Sequence, residues 1–289
     1  MRRTLVMLAL CTVALPALAQ DAEPDWDMMR DPGKKLTLAF TQFNSGLGVA
    51  VRCVDNNYEA IMNGLPPAGS GESRELRLAF GDEDLHPQRW NVAIDDTVAV
   101  SNLPAPFARR LREGGRLRVM IPGAAADGRN LVHDLTLPVS SASIDETLTA
   151  CGRDLVDPRD LELAALPENG MPANLVWQRA PRPDFPSPVK YARGFVSVMC
   201  LTSPDGSLRD CSVEAEHPYD SGFGAAALRA TRRARVETLE DPGGPVPLAR
   251  ILYRTHFIVA GYQTREDTQR QREQRARERE RRNRRTVQE

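Results

Sequence analysis

Cysteine is the residue type whose spacing in this chain most directly indicates chemistry. The chain has five cysteines, and four of them (Cys53, Cys151, Cys200 and Cys211) lie well beyond its apolar N-terminal segment. An even set of cysteines in an exported chain is typical of disulfides, which persist in oxidising compartments. Of the three possible pairings, we choose 53–151 and 200–211, because each pair falls inside one predicted domain.

Metal-binding and redox uses of these cysteines are less well supported. Zinc ligands occur at short, regular spacings, whereas these cysteines and the four histidines of the chain are scattered. The pair at 200 and 211 lacks the CxxC spacing and the activating base of a redox site. We therefore expect two structural disulfides, and neither a bound metal nor a cofactor.

Catalytic motifs give no support for an enzyme. The sequence has no GxSxG elbow, P-loop, HExxH or dinucleotide fingerprint. The carboxylate pair Asp95-Asp96 reads as an exposed turn, and His217, which precedes Pro218, reads as a loop residue. Gly222 opens an alanine-rich segment with no basic residue in its loop, which favours helix packing over phosphate binding. We therefore predict that the protein is not an enzyme.

A β-hairpin must position the second cysteine pair. Asp205-Gly206 predicts a two-residue type I′ turn, because that turn needs positive φ at both central positions. Counting outward places the two cysteines opposite each other, and Val198 opposite Val213. Opposed Cβ atoms lie about 4.5–5.5 Å apart, a distance that a disulfide spans with small adjustment.

A helix and one more strand are predicted after the hairpin. Asp220 or Ser221 caps the helix, and Phe223, Ala227 and Ala230 recur on one stripe. The last strand, at 250–259, alternates. Its helix-facing set is predicted to be Ile251, Tyr253, Phe257 and Val259. Its opposite set is predicted to lie on an open face and to form a partner-binding edge: Arg250, Leu252, Arg254 and His256.

Several segments in this order carry a family resemblance. They are Gly194-Phe-Val-Ser-Val, Pro204-Asp-Gly, Ser212-Val-Glu-Ala-Glu, Gly222-Phe-Gly-Ala-Ala-Ala-Leu228 and Gly243-Gly-Pro-Val246. The stretch resembles the C-terminal domain of the TonB family of energy transducers, and most of all its periplasmic subgroup with a cysteine on each hairpin strand. The resemblance implies a small α+β domain at 185–262, with a three-stranded sheet and a helix on one face. It also implies a role in transport across an outer membrane.

Residues 35–152 are predicted to form a mainly β, sandwich-like domain. The strands are predicted at 36–43, 47–54, 57–62, 75–80, 89–94, 116–121 and 131–139. A short helix is predicted at 106–112, and a longer one begins at Ser141 or Ser143 and carries Ile144, Leu148 and Cys151 on one side. Strands with a final helix that ends in cysteine resemble exported invasion-associated proteins of the locus-B type. We carry no functional residue over from that resemblance.

The N-terminal segment, residues 1–19, reads as a secretory signal peptide. Arg2 and Arg3 form its basic region, and Ala17-Leu18-Ala19 is a cleavage site before Gln20. Its apolar run is shorter than the roughly 20 residues that a membrane span needs. We therefore expect a periplasmic protein, membrane-associated only if the signal is not cleaved.

The remaining segments read as a linker and a tail. Residues 153–184 are rich in proline and form the predicted linker, which is too short to cross a periplasm. Residues 263–289 carry ten arginines against six acidic residues and read as a solvated tail, with attachment to an anionic membrane surface as the alternative. The whole chain has a net charge of −1 and predicts no nucleic-acid surface.

The family resemblance, taken with the signal peptide and the disulfides, implies a TonB-like periplasmic protein that binds a peptide of an outer-membrane receptor, or another envelope protein. It would serve energy-dependent transmembrane transport through such receptors. Because a cleaved signal leaves no anchor, the chain would act with another transducer or bind receptors or cell wall. The alternative is a soluble envelope protein with a structural or host-interaction role and no part in transport.

Signal cleavage is directly testable. N-terminal sequencing of the exported protein is expected to begin at or near Gln20, because the cleavage site directly precedes it. An intact Met1 recovered from the membrane fraction would contradict cleavage and would indicate an anchored protein.

Overall fold

The computed structural model describes residues 25–69 and 71–259. The predicted signal peptide, its cleavage site and the charged tail at 263–289 lie outside the described residues. Within them the chain is mainly β, as predicted. Its strands are β1 Asp27–Asp31, β2 Leu36–Gln42, β3 Gly48–Val54, β4 Asn57–Asn63, β5 Ser73–Phe80, β6 His86–Val92, β7 Ala99–Val100, β8 Gly115–Ile121, β9 Leu131–Leu137, β10 Leu175–Arg179, β11 Arg193–Thr202, β12 Leu208–His217, β13 Arg235–Thr238 and β14 Arg250–Ile258. Its helices are α1 Pro104–Leu111, α2 Ala142–Ala150, α3 Arg159–Ala165 and α4 Phe223–Thr231.

The first nine strands form one antiparallel sheet in the order β1-β2-β3-β4-β7-β6-β5-β8-β9. A single core cluster contains side chains from both halves of that order, from Ala39 of β2 to Leu137 of β9, so the sheet curves around a common core. The sandwich-like prediction is therefore corrected, because the strands join one continuous sheet instead of two. The two-residue strand β7 makes the join, pairing with β4 on one side and β6 on the other.

Helices α1 and α2 close the core of this sheet. Phe107 of α1 makes edge-to-face contacts with Phe80 and Trp90, at ring-centroid distances of 5.9 and 5.0 Å. Ile144 and Leu148 of α2 are fully buried, as the apolar spacing of that helix predicts. The first disulfide, Cys53–Cys151, ties β3 to the residue that follows α2.

Strands β12, β11 and β14 form a separate three-stranded sheet with β11 in the centre. Helix α4 covers one face of it, where Phe223 stacks on Phe257 with their ring centroids 4.2 Å apart. Ile251 and Tyr253 join the same cluster, which confirms the predicted helix-facing set for three of its four members. Val259 is half-buried and lies outside that cluster.

The hairpin turn differs from the predicted two-residue turn. Ser203 and Ser207 close a three-residue loop, with Gly206 N–H donating to the Ser203 carbonyl at 2.9 Å. Only Gly206 within this loop has positive φ, as expected for a type I turn that ends in a left-handed residue. One bulge in β12, between Arg209 and Ser212, restores the predicted alignment of Val198 with Val213, and a second bulge beyond Val213 shifts the pairing by one more residue. The second disulfide, between positions 200 and 211, joins the two strands.

The predicted linker contains more structure than its prolines suggest. Strand β10 pairs with β13, which follows α4, as a two-stranded sheet. Phe185 packs edge-to-face on Phe223 and Phe257, and Trp177 of β10 packs on Tyr253. The segment therefore wraps the C-terminal sheet instead of spacing two domains.

The face of the C-terminal sheet opposite α4 is also covered. Phe195 of β11 and Ala215 of β12 share a buried cluster with Ala93 and Val100 of the N-terminal sheet. Arg153 forms an ion pair with Glu214 of β12 at 3.4 Å. The two sheets therefore pack directly on each other.

The disulfides give a stability prediction. Replacing Cys53 and Cys151 by serine is expected to reduce the free energy of unfolding by about 4–5 kcal/mol, because that bond closes a loop of sequence separation 98. The same replacement of Cys200 and Cys211, at separation 11, is expected to cost about 2–3 kcal/mol. Urea unfolding of the two double variants measures both losses. Equal losses would contradict the loop-length argument, and non-reducing peptide mapping checks the pairing.

Candidate partner-binding edge and interdomain cleft

Strand β14 has one edge paired with β11 and one edge that faces away from it. Val259 N–H donates to the Ala192 carbonyl, and Thr202 N–H donates to the Ala249 carbonyl, each at 2.9 Å. Main-chain groups alternate between the two edges of an antiparallel strand. The odd-numbered residues of β14 therefore point their N–H and C=O groups at β11, and the even-numbered residues point theirs outward.

This outward edge is only partly closed. Leu252 N–H donates to the Gly170 carbonyl at 2.8 Å, so the segment after α3 occupies the edge at that point. Within residues 25–69 and 71–259, the N–H groups of Arg254, His256 and Ile258 have no hydrogen-bond partner. The result is a free edge, defined here as the outward main chain of residues 254–258.

The predicted edge residues have side chains on the covered face of the sheet. Arg250 donates to the carboxylate of Glu162 in α3 at 2.7 Å. Leu252 is fully buried and packs with Leu163 of α3 and Met199 of β11. The segment at 159–170 therefore covers this half of the face.

The other two predicted side chains meet the N-terminal domain and the end of the linker. A guanidinium nitrogen of Arg254 donates to the carbonyl of Glu168. His256 donates from Nε2 to Asn91 Oδ1 at 2.8 Å, and its Nδ1 lies 3.4 Å from a Glu72 carboxylate oxygen. Burial lowers the pKa of His256, and Glu72 opposes that shift.

The prediction that this face of the sheet is open is therefore wrong, although the predicted alternation of side chains along β14 is correct. Arginine and histidine suggested solvent, but here their polar atoms reach partners across an interface while their stems are covered. The partner-binding role of these four residues stays a prediction. What the free edge offers to a partner is main chain, and the side chain of Arg254 also lines an open cavity.

A chain of polar groups crosses the interface beside His256. Asn91 Nδ2 donates to Asn102 Oδ1 at 2.8 Å, and Ser197 Oγ of β11 donates to the same oxygen at 3.2 Å. Ser197 is fully buried, so this bond satisfies a hydroxyl that would otherwise be costly to bury. Sequence reasoning missed these residues, because each one reads as an ordinary strand or loop residue.

A second polar contact joins the domains at Glu59. This buried carboxylate meets His217 Nδ1 at 2.7 Å and Arg52 at 2.6 Å. Burial alone would raise the pKa of Glu59, but the hydrogen bond from His217 and the charge of Arg52 outweigh it and hold the pKa below its usual value. His217, read from sequence as a loop residue, is thus an interdomain contact, and its ring stacks on Phe195.

A cleft of about 720 Å³, called the interdomain cleft here, opens between the N-terminal domain and the segment at 160–168, and Arg254 of the C-terminal sheet also lines it. Its volume is within the size range of ligand sites. Its apolar lining comes from β5, β6, α1 with the residue before it, and α3, and includes Trp90, Leu103, Phe107, Leu161 and Leu163. Its charged lining consists of Glu75, Glu83, Arg89, Arg110, Asp160, Glu168 and Arg254. The cleft and the free edge meet at Arg254.

Comparisons with known proteins give partial similarities. No family model matches the chain, and no curated protein matches it. The solution NMR structure of the Pseudomonas aeruginosa TonB C-terminal domain is 19% identical; the match spans 32% of this chain and 93% of that one, with a TM-score of 0.28. The crystal structure of invasion associated protein b from Bartonella henselae is 13% identical over 45% of this chain and 95% of that one, with a TM-score of 0.33. Neither similarity carries an argument about function.

Two further observations concern the part of the chain that the structure describes. It contains no group of three or more His, Cys, Asp or Glu side chains placed to hold a metal ion. None of its helices is long and apolar enough to cross a membrane.

The Glu59 contact gives a stability prediction with a pH dependence. Glu59→Gln is expected to lower the free energy of unfolding by about 3 kcal/mol at pH 7, because it leaves Arg52 and His217 without their carboxylate. Since the folded-state pKa of Glu59 is depressed, its contribution is present above its unfolded pKa of about 4.3 and is lost as the pH falls through the folded value. Urea unfolding between pH 7 and pH 3 measures both effects.

Glu75→Gln is the matched control, because Glu75 forms an exposed pair with Arg77 and such pairs contribute about 0–1 kcal/mol. The difference in stability between the Glu59 variant and wild type should shrink toward acidic pH. A loss no larger than that of the control, or a difference that does not change with pH, would contradict the role assigned to Glu59.

Proposed function

We propose that the chain is an exported envelope protein that binds an extended segment of another protein at the free edge of β14. The observation that carries this proposal is the run of unpartnered, outward main-chain groups at Arg254, His256 and Ile258. An exposed edge of this kind accepts an added strand, and main-chain hydrogen bonds supply the affinity.

The opposite strand of the sheet is a poorer candidate. The carbonyl groups of Val213 and Glu216 in β12 accept hydrogen bonds from the side chains of Arg153 and Asn57. A partner strand would have to displace these contacts with the N-terminal domain, whereas residues 254–258 need no such rearrangement. This difference favours β14 as the docking edge.

The two disulfides support an oxidising compartment, in line with an exported protein of the periplasm. The proposed partner is a peptide of an outer-membrane receptor or of another envelope protein, and the proposed role is support of energy-dependent transmembrane transport. We propose binding and not catalysis, because the free edge offers hydrogen-bonding groups and no reacting group. Attachment to anionic membrane through residues 263–289 stays a prediction outside the described residues.

Site-directed photocrosslinking tests the docking edge. A photoreactive residue at Ile258, on the free edge, is expected to give a discrete adduct with one envelope protein. The same residue at Leu239, which is also exposed but lies after β13, serves as the control. Arg254→Pro removes an outward N–H without touching the ladder to β11, and should lower the adduct yield about tenfold more than Arg254→Ala, the equivalent of one hydrogen bond.

Thermal unfolding of both variants verifies that they fold. Equal yields from folded Arg254→Ala and Arg254→Pro, or equal adducts from positions 258 and 239, would contradict docking at β14. A separate deletion of residues 185–289 tests the transport role: loss of receptor-dependent uptake supports it, and unchanged uptake favours a structural or host-interaction role.

A further inference from the structure

Arg254 belongs to both candidate features at once. Its main-chain N–H points outward on the free edge, and its side chain lines the interdomain cleft. A residue added to the sheet directly opposite Arg254 would place its own side chain on the same face, with the two Cβ atoms about 4.5–5.5 Å apart. Whatever pairs with this edge therefore presents one side chain to the Arg254 guanidinium.

Each of the four acidic side chains that line the cleft pairs with an arginine, whereas Arg254 pairs with no acid in the described residues. Four charged pairs involve its lining: Glu75–Arg77, Glu83–Arg110, Arg89–Glu168 and Asp160–Arg109. In the described part of the chain, Arg254 has no carboxylate within ion-pair distance. Its guanidinium donates to a main-chain carbonyl, and its Nε is buried without a partner. The charge of Glu168 offsets the burial of Arg254 only from beyond ion-pair distance. A partly buried cation without a direct carboxylate partner is costly, so this position favours an anionic group from a ligand.

The apolar wall of the cleft adds a second requirement. Leu103 and Leu163 line it beside the aromatic pair Trp90 and Phe107, and Leu161 of α3 is largely exposed at 82%. Burying one large aliphatic or aromatic side chain against such a wall stabilises a complex by about 1.5–3 kcal/mol. The cleft therefore suits a ligand that has a large apolar group close to its anionic group.

The contact of Gly170 with Leu252, which closes one end of the free edge, determines where the anionic and apolar groups of the ligand must lie. Because Gly170 occupies the outward N–H of Leu252, an added strand stops pairing at Arg254. The segment that closes the edge, at 166–168, also lines the cleft. A peptide that leaves the edge at Arg254 therefore meets the mouth of the cleft.

We propose that the interdomain cleft is the specificity pocket of the β14 edge and that it selects an acidic–apolar peptide segment. An Asp or Glu side chain opposite Arg254 pairs with the guanidinium, and a large apolar side chain one or two positions beyond it enters the cleft. This inference rests on the proposed function, because the edge supplies the main-chain pairing that brings the peptide to the cleft.

Selection from a random seven-residue peptide library on phage, panned against the full chain, tests this specificity. Enriched peptides are expected to carry an Asp or Glu with a large apolar residue one or two positions away. For a synthetic peptide of the enriched sequence, replacing the acid by its amide should weaken binding to the wild-type chain at least about tenfold, as expected for a charge-assisted contact.

Two arginine variants test whether Arg254 causes the weaker binding of the amide peptide. In Arg254→Gln the acidic and amide peptides should bind equally well, because the group that distinguishes them is absent. Arg250→Gln is the matched control: Arg250 lies on the same face of β14, is already paired with Glu162, and should retain the wild-type preference. The acid-to-amide comparison on wild type needs no protein variant, so a misfolded Arg254→Gln leaves it intact.

The outcomes separate this inference from the proposed function. Peptides that bind more weakly to Arg254→Pro than to Arg254→Ala, but that show no acidic preference or keep the same preference in Arg254→Gln, would overturn the specificity pocket and leave the docking edge standing. Peptides that bind Arg254→Pro and Arg254→Ala equally would overturn both. No enrichment over a bare-surface control would also overturn both.

Discussion

The burial of β11 on both faces is the constraint on which the rest of the structure depends. Nine of its ten residues are buried, with α4 on one side and the N-terminal sheet on the other. The polar residues of the second face must then find partners inside the interface: Arg193 donates to the Gly71 carbonyl at 2.7 Å, and Ser197 bonds to Asn102. With both faces of the sheet covered, the proposed partner binding uses main-chain pairing at a strand edge.

Most elements could be predicted from the sequence because their periodicity is local. The strands at 36–42, 48–54 and 57–63 follow clean alternation, and the spacing of Ile144 and Leu148 indicates a helix. The elements that were missed have no local signature. Strand β7 has two residues, and β10 and β13 are short strands in segments rich in proline or arginine, which are not typical of strands. These three strands form only because they pair with segments distant in the chain. The joining of the two predicted sheets into one also depends on such distant pairing.

The candidate site was predictable in outline but not in its surroundings. The alternation of β14 correctly separated its two faces. The polar residues of the second face suggested exposure to solvent, but an arginine or histidine can bond to Glu162 or Asn91 as readily as to water. One signal was available: Phe195 and Met199 lie on the face of β11 opposite Val196 and Val198. Apolar residues at both odd and even positions are typical of a strand that is buried on both faces, and they indicate a second layer that covers the sheet.

The second disulfide has a mechanical consequence for anything bound at β14. A strand added along this edge and pulled along its length loads the hydrogen bonds to β14, and those from β14 to β11, in shear, so that several bonds resist together. Cys200 of β11 lies opposite Ile251 of β14 and is joined covalently to Cys211 of β12. Tension that reaches β11 therefore passes into the neighbouring strand through a covalent bond. Even where hydrogen bonds between β11 and β12 break under load, the two strands stay covalently joined at this point.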